Sequence, residues 1–347
     1  MNVSQASRVV TFGEIMLRLS PPGFERFLQS PAFSATFGGG EANVAVSLAH
    51  FGLDSVYVTA LPAHAIGDAA IRALRAEGVR TEHVVRGGSR VGIYFAETGA
   101  SQRASTVVYD RAHSSISELK PDALSWDGIL AGADWFHVSG ITPALGASAA
   151  ESTRRAIGAA RTAGAKVSFD LNYRRKLWAE ADAQRVVGPL LRDVHLVIAN
   201  EEDLQSMLGI HVAGTDATAG HLDVDGFREA AERVTTGFGP QTVAITLRES
   251  VSASHNGWSA LLWDAQANRM LTSQRYDIAV VDRIGSGDSF AAGLIYGLVT
   301  GRTPEHALRF AVAASALKHT IPGDFNRASV EEVDRLAAGD ASGRVQR

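Results

Sequence analysis

The stretch "VVDRIGSGDSFAAGLIYGL", residues Val280 to Leu298, brackets Ser286 with two glycines, sets Asp288 directly after them, and then runs into small and apolar residues. A glycine-rich turn that opens a helix is good at holding anions, because free backbone N–H groups and the positive end of the helix dipole point the same way. Gly285, Ser286 and Gly287 are placed to converge their N–H groups on a bound or developing anion. A carboxylate at the mouth of such a hole is a paradox. Two readings of Asp288 stay open on these residues alone: a helix N-cap, favoured by its type and charge, or a catalytic base. Ala291, Ala292, Gly293 and Gly297 show only that the helix lies closely against a neighbour.

More than two hundred residues earlier stands a second turn of this kind, "FGGGEANVAVSLAHFG". Gly38, Gly39 and Gly40 precede a helix expected to run to about Phe51, where Gly52 is a stop signal. Ala42, Ala45 and Ala49 let that helix pack closely. The three glycines permit close backbone approach by a ligand, and Asn43 offers both a donor and an acceptor suited to sugar hydroxyls. A plain strand-to-helix turn explains the triplet equally well. Neither turn matches the P-loop or the dinucleotide fingerprint, which weighs against a dinucleotide-dependent oxidoreductase.

Between the two turns, apolar runs alternate with amphipathic helical stretches. "RVVTFGEI", "SVYVTAL", "WFHVSGI", "KVSFDLN", "LVIANE" and "TVAITL" read as strands, several apolar throughout, as strands covered on both faces are. "GDAAIRALRAEG", "ASAAESTRRAIGAARTAG" and "VDGFREAAERVTTGFG" read as helices, several closed by glycine. This rhythm predicts an α/β fold: a mostly parallel sheet with helices on both faces. Residues 15–36 and 90–111 break it with β-rich, helix-free sequence, and are expected to form a small β lid. Residues 1–340 read as one domain and 341–347 as a polar tail.

Composition narrows the function. The 347 residues are 46% hydrophobic and 20% charged with a net charge of −4, and no cationic block points to nucleic acid or an anionic membrane. Cysteine is absent, which removes disulfides and thiolate metal sites. Histidines lack metal-ligand spacing. With neither a signal peptide nor a membrane-spanning run in view, a soluble cytoplasmic protein is expected.

Taken together, "GGGEAN" and "DRIGSGDSFAAG" resemble the paired signatures of the ribokinase-like (PfkB) carbohydrate kinases, in order, spacing and flanking strands. Within that family, "GEIMLRLSPPG", "VVYDRAHSS", "FDLNYRRKLW", "ANEEDL" and "KHTIPGDFN" are similar to the 2-keto-3-deoxygluconate kinases. The resemblance implies a ribokinase-like fold and transfer of the γ-phosphoryl group of ATP, with Mg2+, to the terminal hydroxyl of 2-dehydro-3-deoxy-D-gluconate, in Entner–Doudoroff-type catabolism. It makes Asp288 the base and Gly285, Ser286 and Gly287 the anion hole. It also implies a substrate pocket of Gly38, Gly39, Asn43, Tyr94, Tyr109, Arg111, Ile141, Arg174 and Asp324. A homodimer, or a larger assembly built through the lid strands, is expected.

An acidic sugar also has a physical argument behind it. A carboxylate is matched by the planar fork of arginine, and Arg111 and Arg174 fall near the expected mouth of the site. The alternative for both is an ordinary surface or ion-paired arginine. On the nucleotide side the family's Asn-x-x-Glu appears as Asn200 with Asp203, an indirect metal contact by resemblance or a simple acidic helix start by composition. Thr246, Leu247 and Arg248 replace the family's Thr-x-Gly, leaving Arg248 as a phosphate contact or a partner of Glu249. Arg283 replaces a Thr, as a phosphate contact or an outward structural residue. Two rival functions remain: a family kinase acting on a neutral sugar such as fructose or ribose, and a non-catalytic sugar- or nucleotide-binding protein.

Overall fold

Strands whose side chains are buried on both faces build the centre of the molecule. In the computed structural model, which describes residues 6–212, 224–340 and 343, the strands are β1 (Arg8–Phe12), β2 (Met16–Ser20), β3 (Ser34–Gly38), β4 (Asp54–Leu61), β5 (Val84–Arg86), β6 (Gly92–Glu97) and β7 (Thr106–Asp110), then β8 (Trp135–Ser139), β9 (Lys166–Asp170), β10 (Leu196–Ala199), β11 (Thr242–Ser250), β12 (His255–Asp264), β13 (Arg269–Thr272) and β14 (Tyr276–Ala279). The main sheet runs in the order β13-β12-β11-β10-β9-β8-β1-β4-β5, and β14 also pairs with β12. From β11 to β5 every pairing is parallel.

Alternate residues of one strand feed opposite layers, as the two-residue period requires. Val10 and Phe136 face a core with Phe169, Trp126 and the helix Ala147–Thr162. Val9 and Trp135 face a second core, formed with Phe290, Leu294 and Phe310 of the helices Ser286–Val299 and Pro304–Lys318. Helices therefore cover both faces, and the continuously apolar strands follow from that.

One edge departs from the predicted rhythm. β12, β13 and β14 add to β11 as an antiparallel meander rather than through helical crossovers. "GWSALLW" within β12 is as apolar as its parallel neighbours, because the late helices cover Trp258, Ala260 and Leu262 on one face while Leu261 and Trp263 join the opposite core with the helix Val224–Phe238.

A second sheet, in the order β3-β2-β6-β7, stands off the first. It carries Tyr94 opposite Tyr109 across the antiparallel β6–β7 pair. Its junction with the main body is apolar and ionic: Leu17 of β2 and Phe37 of β3 pack against the cluster that holds Val46 and Phe325, and Arg18 of β2 reaches Asp282 at 2.7 Å and Asp324 at 2.8 Å. Phe24 and Leu28 of the β2–β3 connection, Phe33 beside β3, and Val108 of β7 stay exposed. Of the expected polar tail, 341–342 and 344–347 lie outside the described residues.

Candidate active site

The parallel strands β8, β9 and β10 all end toward one cleft of about 750 Å³, where open α/β sheets place their ligands. The lid sheet walls one side of the cleft, and the late glycine turn forms its floor. Gly39, Asn43, Tyr94, Tyr109, Arg111, Ile141, Arg174, Asn200, Asp203, Thr246, Arg248, Gly285, Ser286, Gly287, Asp288 and Asp324 all line it. Gly38 alone of the expected residues does not. It backs onto Asp324 instead, and a Cβ there would lie 2.1 Å from Asp324 Oδ2.

The two glycine turns meet directly. Asn43 Nδ2 donates to Asp288 Oδ2 at 2.7 Å, and Asn43 Oδ1 accepts from Gly39 N at 3.2 Å, so one amide joins both helix starts. The N-cap of the late helix is Gly285, not Asp288. At φ 85° and ψ −3°, Gly285 takes a left-handed conformation that other residues avoid, and a Cβ would lie 2.1 Å from Asp324 O. The capping reading of Asp288 therefore falls: its side chain sits in the first turn and is aimed at the cleft. Burial pushes its carboxyl up to about 7, opposed by the Asn43 hydrogen bond and the charge of Arg174. A proton acceptor with an affinity near neutrality suits general-base work.

The lid contributes an ordered polar wall. Tyr94 O–H donates to Asp324 Oδ2 at 2.5 Å, and Arg18 donates to Asp324 Oδ1. Both oxygens of Asp324 are thus engaged, and the residue locks the lid to the floor. Arg111 lies over the Tyr109 ring at 5.3 Å, but its Nε and Nη2 are given to the buried Glu14. Of the two arginines proposed for a carboxylate, Arg111 is mostly committed. Arg174 is exposed to the cleft, makes a single 3.4 Å bond to the Tyr173 carbonyl, and has no ion pair among the described residues.

Across the cleft, cationic groups gather. Arg248 is open to solvent at the cleft, yet the protein packed around it displaces water and, together with repulsion from Arg283 and Arg174, lowers its proton affinity. Glu249 is held by Arg275 at 2.9 Å, which removes it as a partner for Arg248. Arg283 donates to the carbonyls of Ser252 at 3.4 Å and Ala253 at 2.9 Å, so it ties the β11–β12 turn while its charge still faces the cleft. Beyond them Ile198, Leu247 and Phe227 offer an apolar end. Thr246 Oγ1 bonds the Ala199 carbonyl at 3.4 Å.

Asn200 and Asp203 form a complete capping box on the helix Glu201–Leu208. Asp203 accepts from Asn200 N at 3.1 Å and from Tyr173 N at 2.8 Å, so both of its oxygens serve main-chain amides. Glu202 remains at the cleft, loosely tied to Arg175 at 3.4 Å. Among the described residues no group of three or more His, Asp or Glu could hold a metal ion by itself.

Several site residues escaped the sequence reading. Asp170, the last residue of β9, and Asn172, two residues beyond it at a left-handed φ of 41°, line the cleft; the end of any parallel strand was the signal that pointed there. Burial and the nearby Asp203 and Asp288 raise Asp170 well above the usual carboxylate range. Glu14, Arg18 and Glu41 are buried charges whose partners lie far away in sequence. Glu41 holds Ser139 N and Oγ, each at 2.8 Å, beneath the first glycine turn.

A doubly covered parallel sheet whose cleft sets a carboxylate of near-neutral proton affinity facing a cluster of arginines fits a small-molecule kinase. The sequence places it more narrowly: the model of the pfkB family carbohydrate kinases matches residues 6–329, and the chain belongs to that family. A crystal structure of a 2-dehydro-3-deoxygluconokinase from Thermotoga maritima is 51% identical, covers 96% of this chain and 100% of its own, and superposes with a TM-score of 0.92. A 2-dehydro-3-deoxygalactonokinase of Haloferax volcanii is 32% identical over 337 residues, 97% of this chain and 98% of that protein. A crystal structure from E. coli in complex with ATP and Mg2+ shares the fold, with a TM-score of 0.77 at 18% identity over 96% of this chain and 99% of its own. Among the described residues, no helix is long and apolar enough to cross a membrane.

Proposed function

We propose that this chain is an ATP-dependent kinase that phosphorylates the terminal hydroxyl of 2-dehydro-3-deoxy-D-gluconate to the 6-phosphate. The single observation that carries the reading is the Asn43–Asp288 contact, which sets a carboxylate of near-neutral proton affinity beside the N–H groups of the late turn. Asp288 orients the acceptor hydroxyl, and takes its proton as the new P–O bond forms and the bond from the γ-phosphorus to the departing ADP breaks. The main-chain N–H groups of Gly285 and Gly287 face the oxygens of the moving phosphoryl group, where fixed dipoles stabilise charge without reorganising; the Ser286 N–H, expected in the same hole, donates to the Arg283 carbonyl at 3.3 Å instead. Arg248 and Arg283 hold the remaining phosphates, and the apolar end takes the base.

The acid end of the sugar is assigned to Arg174, which is exposed to the cleft and whose side-chain bond is a 3.4 Å contact to the Tyr173 carbonyl, whereas Arg248 and Arg283 stand on the nucleotide side. Tyr94 and Tyr109 close over the sugar from the lid. The donor set fits a magnesium ion that arrives on the nucleotide and keeps several waters, with Glu202 the carboxylate positioned to bind one of them. When bound, the ion neutralises phosphate charge and orients the chain of phosphates. We assign the enzyme to cytoplasmic sugar-acid catabolism of the Entner–Doudoroff type, which a 6-phosphate of this sugar acid would feed. The exposed apolar side chains of the lid are assigned to a homodimer contact.

ADP release over a panel tests this reading: 2-dehydro-3-deoxygluconate, its C4 epimer, fructose and ribose. The sugar acids should give the highest kcat/KM. A higher value for fructose or ribose would sink the substrate claim, and no release with any member would sink the kinase reading.

A further inference from the structure

Lys318, the last residue of the helix Pro304–Lys318, is fully buried, with 0% of its surface exposed. Packing alone does not account for it, because an apolar side chain of that length would fill the space without the cost of burying an ammonium. Burial lowers its proton affinity, while the nearby carboxylates of Asp282, Asp324 and Asp288 work to keep it charged. Its recorded hydrogen bonds go to backbone: Nζ donates to Asp282 O at 3.2 Å and to Ile321 O at 3.1 Å. Those carbonyls belong to the loop entering the late glycine turn and to the loop that follows the helix. Lys318 Cε lies 3.3 Å from the point where a Cβ on Gly285 would stand, so the ammonium-bearing arm runs directly beneath the anion hole.

We propose that Lys318 is a positioning residue for phosphoryl transfer, a tethered cation that pins the two loops flanking the anion hole and adds fixed positive charge behind it. Converging backbone carbonyls in a buried place are a seat for a monovalent cation, and here the chain supplies that cation itself. The enzyme is therefore independent of added potassium or ammonium. This inference rests on the assignment of the late turn as the phosphoryl seat.

The test begins with the wild-type enzyme, assayed with sugar acid and ATP in buffer whose only monovalent cation is tetramethylammonium. Turnover there should be unchanged on adding potassium; stimulation by potassium overturns the proposal. Lys318→Met should then lower kcat by about tenfold or more while the KM values for sugar and ATP stay within about twofold, since the residue supports charge that develops in the transition state. Lys318→Ala should regain turnover on adding methylammonium, ammonium or potassium, but not tetramethylammonium, which is too large for the vacated space. Unchanged kcat in Lys318→Met, or a loss in Lys318→Ala that no cation restores, overturns it as well. A wild-type enzyme with no activity on any sugar would instead count against the assigned function and leave a different signature: no turnover for the variants to lose.

Discussion

Replacing Asp288 by Asn should remove activity and at the same time stabilise the fold. Asn is nearly isosteric, and its side-chain carbonyl still accepts the bond from Asn43 Nδ2, so the geometry of the turn survives. The proton affinity of Asp288 rises from an ordinary 3.8 to about 7 because the fold removes water from the carboxylate. At about 1.4 kcal/mol per tenfold change in affinity, ionising this group in the folded state costs up to about 4 kcal/mol. Asp288 opens on the cleft, so solvent screens part of that, and about 2 kcal/mol is the working figure. The sign follows from the raised affinity: the native state holds the proton more tightly than the unfolded chain, so the cost is largest above pH 7 and fades as the pH falls from 7 toward 4. Unfolding entropies of about 2 cal/mol/K per residue turn about 2 kcal/mol into a Tm rise of about 3 °C for a chain this long. Differential scanning calorimetry of both proteins at pH 8 and pH 5 reads this directly, alongside turnover, which should drop by at least ~10²-fold. Near-normal turnover would refute the role as base. A Tm difference that is absent, or equal at both pH values, would refute burial as the cause of the raised affinity.

Three further outcomes follow from the same geometry. In the wild-type enzyme kcat/KM should rise with pH through about 7 as Asp288 loses its proton, and a flat profile between pH 6 and 8 would contradict the assignment. Arg174→Ala should raise KM for the sugar acid by about tenfold or more and KM for ATP by far less, as expected from losing a charge-assisted contact to one ligand; equal effects on both would place Arg174 among the phosphate contacts. Gly285→Ala should destabilise the protein by about 2 kcal/mol or more in urea unfolding, since the residue is left-handed and a Cβ meets the Asp324 carbonyl; a change under about 0.5 kcal/mol would show that the turn adjusts freely.

What the sequence revealed and what it hid have physical causes. Strands β1, β4, β8, β9, β10 and β11 were legible because burial on both faces makes them apolar throughout, and the helices because their apolar stripes repeat at the helical period. The meander β12–β14 lacks that contrast: its strands are joined by short turns, so nothing helical separates them. The two glycine turns were visible as composition, but the bond that gives them meaning joins residues 245 apart. Distance in sequence likewise hid the partners of Arg111 and Arg18. The Glu14 that claims Arg111 lies 97 residues before it, and the Asp324 that meets Arg18 lies 306 residues beyond it. Arg111 and Arg174 look equivalent as residue types, and only their neighbours separate an engaged arginine from an available one. Asp203 shows the converse: the acidic helix start read from composition is a complete capping box.

Competition bears most directly on the central claim, that an arginine-anchored sugar acid presents its terminal hydroxyl to Asp288. The enzyme would be given limiting ATP with equal concentrations of 2-dehydro-3-deoxygluconate, its C4 epimer, fructose and ribose, and the products read by 31P and 13C NMR. Phosphate should appear first on the terminal oxygen of a 2-dehydro-3-deoxy sugar acid. Phosphate appearing first on fructose or ribose, or on any other oxygen of the sugar acid, would contradict it.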